Sequence, residues 1–176
     1  MNMVQDLAAR TLLVILVAAV VQDFMYMKIS NRLILMGILF SLAFGFMTGG
    51  LRQVLYVLVN ISFPVFVLYL FYLLGVLGAG DIKLFSIIGG FTNFKLLTGC
   101  MFYSFVAAAV IAVGKMLYNR NLRISVFKAG IFFRSIPREG LVSYHREWAE
   151  RRNLMHFSVP ILIGYMVAVL HWKLYR

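Results

Sequence analysis

The stretch GVLGAGDIKLFSIIGG, residues 75–90, poses the question on which the reading turns. It sets an aspartate, Asp81, and a lysine, Lys83, between two apolar runs, where charge is costly and seldom idle. The surrounding chain is built for lipid: 62% of its 176 residues are hydrophobic, 13% are charged, and the mean hydropathy is +0.90. A soluble domain of this size carries more charge, so the composition indicates an integral membrane protein. The length accommodates about six spans of roughly 20 residues with short connections. No separate soluble domain fits, and residues 1–176 read as one membrane-embedded domain.

Working outward from that stretch, the apolar runs predict an all-α, polytopic protein of about six transmembrane helices. The first covers about 7–27, and the second about 31–48, ending at Gly49-Gly50. The third covers about 52–76, with Pro64 as an expected kink. The fourth starts at Asp81 and is short. The fifth runs over about 97–118 and the sixth over about 157–172. The first apolar run carries Asp6 before any basic residue and leads into more membrane, so it reads as an uncleaved span and not a secretory signal. Between spans five and six lies the one long connection, about 119–156. Within it Leu122, Val126, Ala129, Phe133 and Ile136 share a helical face with Arg123 and Arg134 opposite, the pattern of an amphipathic segment lying on headgroups.

Charge sets the orientation. Lys and Arg total 17 against six Asp and Glu, a net charge of +11. The 1–2, 3–4 and 5–6 connections hold Lys28, Arg32, Lys83, Lys115 and all the basic residues of 120–152. The opposite side holds Arg10, Arg52, Lys95, Lys173 and Arg176. The richer side is expected in the cytoplasm of a plasma (inner) membrane, where it would also meet anionic lipid headgroups. Nucleic acid is not an expected partner, because the basic residues flank apolar spans. The pattern is compatible with a homo-oligomer.

Under this topology two acids reach the same side by different helices. Asp23 lies near the end of span one, and Asp81 opens span four. The remaining acids are Asp6, ahead of span one, and Glu139, Glu147 and Glu150 in the long connection. Two carboxyl groups held close cannot both ionise easily, so one keeps a proton. Such a pair can activate a water for attack on a peptide carbonyl and protonate the leaving nitrogen. Helix dipoles favour the anion at Asp81, at an amino end beside Lys83, and the acid at Asp23, at a carboxyl end. Gly78 and Gly80 permit a close backbone approach beside Asp81.

These residues resemble a known group. GAGDIK, residues 78–83, matches the G-x-G-D-x-K motif of the type IV prepilin peptidases, membrane aspartyl proteases that include the archaeal preflagellin peptidases. QDFMYMKISNRLI, residues 22–34, is similar to the family's first motif, with Ser30 where a proline is usual, between Ile29 and Asn31. HFSVPILIGYMVAVL, residues 156–170, is similar to its last span, with Phe157, Pro160 and Gly164 in the family pattern. The resemblance implies an aspartic endopeptidase that removes a short basic leader from prepilin-like substrates on the cytoplasmic side. It implies Asp23 and Asp81 as the catalytic pair, with Gly78, Gly80, Lys83 and Asn31 in support and with no cofactor. Larger members add paired C-x-x-C motifs and methylate the new amino terminus. This chain has one cysteine, Cys100, so the resemblance implies no methyltransferase activity and a short form like those of tight-adherence pilus systems or the archaeal enzymes. The Ser30 replacement implies a less rigid turn.

A second function class fits intramembrane carboxylates: a small proton-coupled transporter or channel using Asp23 and Asp81. Against it, the two acids lie near one interface instead of the midplane, and no internal repeat is evident. His171 is predicted on the opposite side, and His145 and His156 lack a metal-ligand spacing, so no metal site is expected. Asn60, beside Pro64, is expected to bond between helices.

Overall fold

Every described element is an α-helix, the structure that satisfies backbone polar groups internally in lipid. The computed structural model describes residues 3–73, 77–118 and 157–174. Its helices are α1 (Met3–Tyr26), α2 (Asn31–Leu73), α3 (Ala79–Phe91), α4 (Phe94–Tyr118) and α5 (Ser158–Leu174). Among the described residues, Met3–Tyr26, Asn31–Leu73 and Phe94–Lys115 are long and apolar enough to cross a membrane, and Ser158–Leu174 is a shorter apolar helix. The amphipathic segment expected within 119–156 lies outside the described residues, as do His145 and His156. By contact the chain divides into two compact units, Met1–Ala107 with His156–Arg176, and Ala108–Met155. Every contact described below lies within the first.

The second and third predicted spans are the two arms of α2. The helix breaks at Gly49 (φ −155°, ψ 19°) and Gly50 (φ 63°, ψ −150°), as the Gly49-Gly50 pair predicts. Gly50 occupies a region essentially closed to residues with a Cβ. The break folds the chain back on itself. A Cβ added at Gly45 would sit 3.0 Å from Cγ2 of Val57. In a straight helix residues so far apart in sequence would be about 18 Å apart. The arms therefore form a helical hairpin.

This hairpin embraces α3, whose residues Ile82 and Leu84 to Gly90 are all buried. A helix apolar on every face suits burial on every face. Small residues make that possible. A Cβ at Gly37 in the first arm would lie 3.0 Å from Ile87. One at Gly90 would collide with Ser41 of the first arm, and Ile61 of the second arm is also adjacent. The rings of Phe44 and Phe91 meet at 6.0 Å. Helices α1 and α5 also pack on α3.

Pro64 sits inside the second arm with helical backbone angles, so the one departure from helical φ and ψ in α2 is at the glycine pair. A proline has no N–H to give the carbonyl four residues back, here that of Asn60. A Cβ on Gly89 would collide with that same carbonyl. The freed oxygen of α2 and the bare Cα of α3 thus occupy one contact. Asn60 also donates through Nδ2 to the Thr92 carbonyl at 3.1 Å, the inter-helix bond its position predicts.

The α1–α2 turn departs from expectation. Met27 has φ 54°, and its N–H caps the Asp23 carbonyl at 2.9 Å, which ends α1 in a left-handed cap. Ser30 then donates its backbone N–H to Oε1 of Gln22 at 3.0 Å. Its hydroxyl accepts from the Arg32 N–H at 3.3 Å and so caps α2. A proline has neither group. Ser30 therefore replaces ring stiffness with two hydrogen bonds, and the turn is tied where a looser one was expected.

Three substitutions test these contacts. Gly89→Ala is expected to cost about 1–3 kcal/mol, because its methyl meets backbone that cannot yield. Thermal unfolding in detergent reads the loss, and an unchanged midpoint would contradict the close approach. Ser30→Ala removes the cap and keeps the N–H, for an expected loss of about 1 kcal/mol. Ser30→Pro also removes the Gln22 bond, so it should unfold no later than Ser30→Ala despite proline's stiffer unfolded chain.

Candidate active site

Asp23 lies in the last turn of α1 and Asp81 in the first turn of α3, and both are partly buried. The two helix ends come together: α1 packs on α3, and Ile29, in the turn after α1, lies against Gly80 in the first turn of α3. Helix α3 begins at Ala79, two residues ahead of its predicted start. The cause is local. Gly78 stands at the N-cap in an extended conformation and donates its N–H to Oδ2 of Asp81 at 3.1 Å, while the Asp81 N–H returns to the Gly78 carbonyl at 3.1 Å. The carboxylate thus caps its own helix.

The other sequence-identified residues gather at the same end. A Cβ on Gly80 would lie 3.3 Å from Cδ1 of Ile29, which brings the start of α3 against the α1–α2 turn. Lys83 reaches from α3 to donate to Oδ1 of Asn31, the first residue of α2, at 2.8 Å. Both of those side chains are exposed. This bond ties the element after Asp23 to the element bearing Asp81. Asp23, Asn31, Gly78, Gly80, Asp81 and Lys83 are therefore brought together, and three of them play different parts in this geometry: Gly78 binds Asp81, Gly80 yields space, and Lys83 bridges helices.

One participant was not picked out from the sequence. Ser158, the first residue of α5, donates its hydroxyl to Oδ2 of Asp23 at 2.6 Å. In the sequence it reads as an ordinary helix-start serine. Its signal was the alternation of spans, which puts the start of the last helix on the side of both aspartates. The bond also changes the balance between the acids. The dipole argument left Asp23 at a helix carboxyl end with no compensation. In the structure the amino end of α5 and a hydroxyl donor stand beside it, so dipoles alone no longer assign the proton to Asp23.

Chemically, two neighbouring carboxyl groups, each accepting a hydrogen bond, can hold one proton between them and polarise a water. Residues 11–113 match the model of the type IV leader peptidase family, a segment that contains both aspartates and all four supporting residues and ends before Ser158. No curated protein and no solved structure matches the chain. Because the family match covers more than half of its length, the chain belongs to the type IV leader peptidase family.

Proposed function

We propose that this protein is a membrane aspartic endopeptidase whose catalytic pair is Asp23 and Asp81. The observation that supports the reading is that the last turn of α1, with Asp23, and the first turn of α3, with Asp81, are packed together and bridged by Lys83 and Asn31. Membership of a leader peptidase family makes peptide hydrolysis the expected chemistry and does not favour a transporter. The substrate is a prepilin-like protein with a short basic leader ahead of an apolar helix. Cleavage takes place at the cytoplasmic face of the inner membrane, in a single domain of six spans, the two arms of α2 counting as two. The abundance of Lys and Arg in the connections on that side supports the orientation. Lys28 and Arg32, both exposed beside the pair, suit anionic headgroups better than a basic leader. A single cysteine supports a form without methyltransferase activity.

The reaction needs no group beyond the pair and water. One carboxylate takes a proton from water as the water oxygen bonds to the scissile carbonyl carbon. The protonated partner gives its proton to the carbonyl oxygen. Collapse of the tetrahedral diol breaks the C–N bond: the protonated acid gives its proton to the leaving nitrogen while the other carboxylate takes one hydroxyl proton of the diol, so the pair ends with one proton as it began. Which acid holds that proton at rest is a property of the coupled pair.

Co-expression with a prepilin-like substrate and a gel shift for leader loss tests the reading. Asp23→Asn and Asp81→Asn should each lower processing by at least about a thousandfold while the protein remains in the membrane. Processing that survives either change would remove the pair from the mechanism.

A further inference from the structure

Four buried polar side chains in the described residues are serines: Ser41, Ser86, Ser104 and Ser158. Three return their hydroxyls to their own helices. Ser41 donates to the Ile38 carbonyl, Ser86 to that of Ile82 and Ser104 to that of Cys100. This back-bonding is how a hydroxyl is ordinarily satisfied inside an apolar helix. Ser158 differs. As the first residue of α5 it has no preceding helical turn to bond, and its hydroxyl, on a residue only 1% exposed, goes to Asp23 instead. The two residues are 135 positions apart in the chain.

We propose that Ser158 is a positioning residue of the peptidase, fixing the orientation of the Asp23 carboxyl group through its hydroxyl. The proposal deepens the aspartic-peptidase reading and rests on it. A carboxyl group near the end of a helix can turn about its side-chain bonds, and a catalytic group displaced by about 1 Å can lose a hundredfold in rate. Asp81 is already fixed, since Oδ2 accepts from Gly78 within its own helix. For Asp23 a donor comes from another helix, the Ser158 hydroxyl at the start of α5. With one carboxylate oxygen held there, the plane of the group is set relative to Asp81 before substrate arrives. Ser158 touches neither the water nor the scissile bond, and acts through Asp23.

The test compares Ser158→Ala and Ser158→Cys with the unaltered enzyme and with Asp23→Asn, on a synthetic prepilin-like peptide in detergent. Both Ser158 variants should lower kcat by about 10- to 100-fold with KM nearly unchanged. Cysteine should fail nearly as badly as alanine, because it restores the volume but donates weakly. A Cys variant at the unaltered rate, or an Ala variant within twofold of it, overturns the proposal. So does failure of both variants to accumulate in the membrane, which would mark a packing role. Should Asp23→Asn be inactive while Ser158→Ala is normal, only the positioning role falls. An active Asp23→Asn enzyme removes the catalytic pair and the positioning role together.

Discussion

The constraint that organises this molecule is the meeting of two acid-bearing helix ends, the last turn of α1 with Asp23 and the first turn of α3 with Asp81. Both acids are partly buried, and like charges held close in such a setting push apart unless the scaffold prevents it. The scaffold does so by immobilising one acid and tethering the other. Helix α3 is sheathed by both arms of α2 and touched by α1 and α5, so Asp81 rides on the most enclosed element described. The Lys83–Asn31 bond then fixes the start of α2, and with it the turn that follows Asp23.

Enclosure of that kind cannot come from a hydrophobic driving force alone, since lipid is as apolar as the helices. Close packing and a few polar contacts have to supply it. The glycines of α2 and α3 serve this end where a Cβ would collide: Gly37 against Ile87, Gly90 against Ser41, and Gly89 against the Asn60 carbonyl. The last contact joins three sequence features that look unrelated. Pro64 frees a carbonyl, Gly89 admits it, and the Asn60 amide secures the far end of α3 at Thr92. A similar approach joins α4 and α5, where a Cβ on Gly164 would strike Ser104.

Much of this was legible in the residues. Apolar runs gave the helices to within a few positions, Gly49-Gly50 marked the break, and the two aspartates stood out because the spans carry so little other charge. What escaped was which way particular side chains turn, in one case locally and in the others between separate segments. Helix α3 starts early because the Asp81 side chain turns back on Gly78. Ser30 looked like the loss of a proline, since its two bonds need the position of Gln22 and the start of α2 to be known. Ser158 looked like a helix start, since its partner is near the other end of the chain.

The same facts explain why polar contacts, and not packing, govern the acid on α1. The buried residues of that helix are Leu12, Ile15, Leu16 and Ala19, and none lies in the turn that bears Asp23. Beyond Ala19 the helix presents exposed Val21, Phe24, Met25 and Tyr26. Its end is held by Gln22 on Ser30, by Met27 on the Asp23 carbonyl and by Ser158 on the Asp23 side chain. Bonds of this kind between helices are individually weak, about 0.6 kcal/mol on average where measured in a membrane protein. They are directional, however, and apolar packing is not. A helix end fixed by directional bonds can hold a carboxyl group at a set angle without being buried, which leaves the group accessible to water and to an extended substrate. That combination is what the proposed hydrolytic pair requires.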